Sequence, residues 1–139
     1  MDHQISSGDR QFAQDLAAGA VAPAAFDHRA HVRLAYIYLV GNDADAAASV
    51  MRDTLLRFLK HNDVDSSRYH ETITRAWILA VRHFMEITPP CASADEFIDR
   101  NPILLDRNIM LSHYSAELLF SPDARAAWVA PDLDQIPRH

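Results

Sequence analysis

The chain has 139 residues, 49% apolar and 23% charged, which is the profile of one soluble globular domain long enough to bury a core without staples. Its formal net charge of -6 lacks the basic excess that phosphate backbones attract, so nucleic acid is disfavoured as a partner. The longest apolar run, 34–40, is too short to span a bilayer, and residues 1–7 show no signal-peptide pattern, so no membrane partner is expected and the cytoplasm is the expected location.

Three glycines and abundant alanine, leucine and arginine predict helix nearly throughout. A first helix is expected over about 9–18, with Phe12, Ala13 and Leu16 on one face and Gly19 just past its end. A second starts behind Asp27 as N-cap and continues to Val40, with Arg33 the only charge in an otherwise apolar stretch before Gly41-Asn42 stops it. A helix apolar nearly all round belongs at the centre. A third is expected from near Asp43 to Lys60, its buried side marked by Val50, Leu55, Phe58 and Leu59, with Met51 beside it. His61 then complements the helix C-terminus. The fourth has cap candidates in Asp65, Ser66 and Ser67 and reaches Ile87, with a core stripe of His70, Ile73, Trp77, Val81 and Phe84. Glu71 and Arg75 stand at the spacing of a surface ion pair.

Cys91, the one cysteine, follows Pro89-Pro90 with no local base beside it and reads as a loop thiol rather than a nucleophile. Ser93-Ala94-Asp95-Glu96 is a capping-box pattern opening a short helix. Asn101-Pro102 interrupts it, and 103–113 is expected to form another helix burying Leu104, Leu105, Ile109 and Met110. Ser121-Pro122-Asp123 reads as cap, first-turn proline and dipole-matched acid of a last short helix. Residues 1–7 and 130–139 are expected to be extended or frayed, and Trp128 to be a packing anchor. The expected architecture is all-α: a single domain over 1–139, a bundle of four main helices with shorter C-terminal helices packed across it.

Among eight histidines, three are placed to share a site. His28 and His31 lie three apart at the start of the second helix, and His70 lies at the start of the fourth. Short links make successive bundle helices antiparallel, so helices two and four run parallel and bring these histidines into one layer. Three inward imidazoles can hold a divalent ion, zinc or iron, with an open position for chemistry. His28, His31 and His70 are therefore the expected metal ligands, and Glu71 the expected general base or further ligand. Arg33, Tyr38 and Tyr69 are the expected substrate contacts. The expected activity is that of a metal-dependent small-molecule enzyme, hydrolytic or oxidative. Positive helix N-termini oppose a cation, however. With Arg29, Arg33 and Arg68 nearby, the same layer suits a carboxylate or phosphate, which makes a non-catalytic binding module for an acidic small molecule the alternative. A structural or interaction bundle is the third reading. His113 and Tyr114 are weaker candidates, His83 is expected on a polar face, and His3 and His139 suggest no role. A homodimer is compatible with the general habits of small soluble proteins.

Phe26-Asp27-His28-Arg29-Ala30-His31-Val32-Arg33-Leu34-Ala35 and Tyr69-His70-Glu71-Thr72-Ile73-Thr74 resemble segments of a group of small uncharacterised bacterial all-helical proteins. The likeness continues in Asn101-Pro102-Ile103-Leu104-Leu105-Asp106, in Tyr114-Ser115 and in Ala124-Arg125 through Trp128-Val129. The resemblance implies one domain and transfers no catalytic role.

Overall fold

Each long helix begins where a polar side chain can take up a first-turn N–H. Ser6 caps α1 (Ser7–Ala17) by accepting from the Asp9 amide, while the Asp9 carboxylate accepts from the Ser6 amide, a complete capping box. Asp27 caps α2 (His28–Gly41) through the Ala30 amide and Asp43 caps α3 (Ala44–His61) through the Ala46 amide. The structure is a computed structural model that describes residues 2–136, all helix, turn and loop; His139 lies outside them.

The fourth long helix, α4 (Glu71–Ile87), starts later than expected. Asp65 spends its carboxylate on the Ser67 amide at 2.9 Å, closing the 3-10 turn Ser66–Arg68, and Tyr69 and His70 are then extended. His70 is itself the N-cap, its Nδ1 accepting from the Ile73 amide at 3.1 Å. Ser93, Ser115 and Ser121 cap the short helices α5 (Ala94–Arg100), α6 (Ala116–Leu119) and α7 (Pro122–Ala126). The helix expected over 103–113 is instead two 3-10 turns, Pro102–Leu105 and Arg107–Ser112. They break at Asp106, which caps the Asn108 amide. Leu105 is exposed as a result, while Leu104, Ile109 and Met110 are buried.

α2, α3 and α4 pack against one another, with α1 and α5 against α2 and α7 against α4. The N-terminal residues of α2 and α4 line one cavity, and residues of both C-terminal ends, Gly41 and Met85, line another, so the two helices run parallel. α3 runs back between these ends: Tyr38 meets Thr54, and Phe26 meets Phe58. Both α2 and α4 are buried on most sides. α3 buries Ala47, Met51, Thr54 and Phe58, whereas Val50, Leu55 and Leu59 are only half-buried. Alanines allow α3 to approach its neighbours closely, and Leu55 and Leu59 turn to the cavity instead. α1 ends in a Schellman motif at Gly19, whose φ is 75°, and an added Cβ there would meet the His61 ring at 2.7 Å.

Both described chain ends are without helix over 2–6 and 130–136, in keeping with the expected extended segments, and they are tied down rather than frayed. His3 is buried, its ring donating to the Met85 carbonyl at 2.7 Å and accepting from the Cys91 amide at 3.0 Å. The C-terminal segment is held by Thr72, whose hydroxyl donates to the Ala127 carbonyl and accepts from the Val129 amide. Tyr114 donates to the Val129 carbonyl, and the Leu133 amide donates to the His113 carbonyl. Backbone hydrogen bonding, invisible in composition, replaces disorder there. Among the described residues no helix is long and apolar enough to cross a membrane.

Candidate functional site

At the shared N-terminal end of α2 and α4 lies a cleft of about 370 Å³. Phe26, Leu55, Phe58 and Leu59 give it an apolar wall; His28, His31, Tyr69 and His70 give it polar rings. Arg68 and Arg107 enter from the 3-10 turns Ser66–Arg68 and Arg107–Ser112. Arg125 braces the first of these turns by donating to the Ser67 and Arg68 carbonyls.

The three histidines meet as neighbours of one cavity but differ in what their nitrogens do. His70 has both occupied: Nδ1 accepts from Ile73, so Nε2 carries the proton and donates to the Leu119 carbonyl at 2.7 Å. Ligation by His70 would cost α4 its cap. His28 donates from Nε2 to the Leu104 carbonyl at 2.9 Å and sets its ring edge-on to Trp77 at 4.7 Å, which leaves Nδ1 as an acceptor uncommitted among the described residues. His31 makes no side-chain hydrogen bond among the described residues; its ring stands edge-on to Phe26 and 6.5 Å from that of His28. Burial pushes the His31 imidazole down to about 4, with His28 adding to the effect. Burial also lowers His28 and His70, outweighing the opposing hydrogen bonds to Leu104 and Leu119. All three rings are neutral at neutral pH. Among the described residues no group of three or more His, Cys, Asp or Glu side chains is gathered as metal ligands.

The other expected site residues are divided between the cleft and elsewhere. Tyr69 lines the cleft and donates to Glu71 at 3.2 Å; burial first, then the Glu71 carboxylate, pushes its phenol up to about 12. Glu71 is not part of the lining, and its carboxylate also faces Arg52 at 3.9 Å. Arg75, expected to pair with Glu71, pairs with Asp45 across the α3–α4 contact. Arg33 lies away from the cleft, its Nε donating to Asp9 at 3.0 Å and its guanidinium over the Phe12 ring. Asp9 is fully buried and also accepts from the Ala94 amide at 2.9 Å. Burial alone would raise its carboxyl, but the hydrogen bonds from Ala94, Ser6 and Arg33 outweigh that and hold it low. Arg33 is therefore a structural partner. Tyr38 spends its hydroxyl on Thr54 at 2.7 Å. His113 and Tyr114 are buried as anchors of the C-terminal segment rather than cleft residues. His83 is half-buried beside Phe84 rather than fully exposed, and Trp128 is 37% exposed under the Arg75 guanidinium.

Sequence patterning missed Arg107 as a cleft residue. It sits in a 3-10 turn with no helical period, and only tertiary packing brings it to the cleft. A cation between the helix breakers Asp106 and Asn108 was the available signal. Arg68 and Arg107 have no ion-pair or hydrogen-bond partner for their guanidinium groups among the described residues. Asp27, the one carboxylate of the lining, is engaged with the Ala30 amide. Comparison with family models, with curated proteins and with solved structures yields no match to this chain, so the chemistry of the cleft is read from its own geometry.

Proposed function

We propose that the cleft binds an acidic small molecule, with Arg68 and Arg107 facing its carboxylate or phosphate and His31 exchanging a hydrogen bond with it. One observation carries this reading. His28 and His70 are anchored to backbone carbonyls, whereas the His31 ring and both guanidinium groups have no hydrogen-bond or ion-pair partner among the described residues. Guanidinium offers a planar fork that matches such anions, and a neutral imidazole can donate or accept. The test is thermal unfolding of tag-free protein titrated with benzoate and with inorganic phosphate. A ligand of the native state at a hundred times its Kd stabilises by about 2.7 kcal/mol. Stabilisation by either anion that disappears in Arg68→Gln and Arg107→Gln supports the reading; an unchanged melting temperature overturns it.

A metal-dependent enzyme, hydrolytic or oxidative, is the second reading, favoured by two neutral imidazoles three residues apart on α2, each with an uncommitted nitrogen. A divalent ion, zinc or iron, on His28 and His31 would leave positions open for water, whose acidity the metal would raise. About one equivalent of metal in protein purified without an affinity tag, lost in His31→Ala, supports this reading. Metal-free protein that takes up neither ion in dialysis overturns it.

A further inference from the structure

We propose that the acid held in the cleft is a carboxylate with a compact, ring-sized apolar body free of hydroxyl groups, its head on Arg68 and Arg107 and its body on Phe26, Leu55, Phe58 and Leu59. The inference rests on the anion-binding reading above and adds the class of ligand. All six side chains line the same cavity of about 370 Å³. That lies near the lower end of the range of roughly 300–1,000 Å³ for small-molecule sites.

The apolar wall follows from how α3 packs. That helix buries Ala47, Met51, Thr54 and Phe58, and this leaves Leu55 and Leu59 half-buried at the cleft. Phe26 packs on Phe58 with ring centroids 5.0 Å apart and meets the His31 ring edge-on at 6.2 Å. An apolar body laid against these groups removes their surface from water, which a bare phosphate or acetate does not do. The polar lining is largely committed to the chain itself. Tyr69 donates to Glu71 and is hydrogen-bonded to Thr74, His70 uses both ring nitrogens, and Asp27 takes up the Ala30 amide. The open charges are the guanidinium groups of Arg68 and Arg107, which only donate and so match an acid head. A polyol acid carries hydroxyls on every side, and those turned to the four apolar side chains would lose their hydrogen bonds to water without replacement.

The test titrates the full chain by calorimetry with cyclohexanecarboxylate, its tetrahydroxy counterpart quinate, acetate, inorganic phosphate and the neutral cyclohexylmethanol. Cyclohexanecarboxylate is expected to bind about thirty-fold tighter than acetate, because several methylenes leave water, and quinate no tighter than acetate. Leu59→Asn should weaken cyclohexanecarboxylate about ten-fold and leave acetate unchanged, with Leu59→Met keeping the binding. Arg107 also borders a neighbouring cavity, so Arg68 is the cation whose loss reports on this one. Arg68→Gln should weaken every acid about ten-fold, with Arg68→Lys retaining part of the binding. Circular dichroism checks that the variants fold. Arg68-dependent binding in which acetate, quinate or phosphate matches cyclohexanecarboxylate overturns this proposal and leaves the anion-binding reading standing. Cyclohexanecarboxylate bound equally by folded Leu59→Asn overturns the assigned wall. Cyclohexylmethanol matching cyclohexanecarboxylate, or absence of binding by any acid, overturns both readings.

Discussion

His31 and His70 border the same cavity with opposite hydrogen-bond states. His70 bonds through both nitrogens, so His70→Ala removes a helix cap and leaves the Leu119 carbonyl without its donor. The expected loss is about 2 kcal/mol in urea unfolding. His31 keeps a half-buried polar ring beside Phe26 without a hydrogen bond from the described chain, where an apolar side chain would bury more apolar surface. His31→Leu is therefore expected to raise stability by about 0.5–1 kcal/mol while abolishing the response to acids; a loss of stability would show that the ring is structural. The same contrast separates two ion pairs. Asp9 is buried within three hydrogen-bonding partners, so Asp9→Asn is expected to cost about 3 kcal/mol. Asp45 is 81% exposed opposite Arg75, so Asp45→Asn should cost no more than about 0.5 kcal/mol. Denaturant titration of the two variants reads the difference directly.

At the scale of elements, the C-terminal segment behaves as a strap across α4. Thr72 is fully buried and joins the first turn of α4 to Ala127 and Val129. Thr72→Val keeps the shape and removes the hydroxyl, leaving one carbonyl and one amide unmatched at a cost of about 1–3 kcal/mol. Hydrogen exchange should then accelerate over 127–133 while the α2 core stays protected. Uniform acceleration across the chain would mean that the strap and the bundle open as one unit.

For the whole molecule, the depressed imidazoles set the acid limit of stability. Each is lower in the folded chain than its ordinary value of 6.5, and His31 falls to about 4. Below pH 6.5 the unfolded chain binds protons that the folded chain refuses, so stability is full above 6.5 and declines as pH falls towards about 4. His31 alone is expected to contribute a loss on the order of 1–2 kcal/mol between pH 7 and pH 5, allowing for solvent at the cleft. Urea unfolding at the two pH values measures it, and His31→Leu should remove most of the slope. Asp9 acts lower: its depressed carboxyl gives stability that is present above 3.8 and lost as pH falls through its folded value.

Periodicity and capping residues determined the all-α architecture and the long helices, because Asp27, Asp43, Gly41 and Gly19 act through neighbours a few residues away. The joint placement of His28, His31 and His70 followed from helix direction and link length for the same reason. Their states did not. Whether an imidazole nitrogen is open depends on carbonyls of Leu104 and Leu119, which reach the cleft only through tertiary packing. Packing likewise paired Arg33 with Asp9, Arg75 with Asp45 and Thr72 with the C-terminal segment, and brought Arg107 to the cleft. Local sequence carries the bonds that span one helical turn; partners distant along the chain were decided by the closure of the core that brings them together.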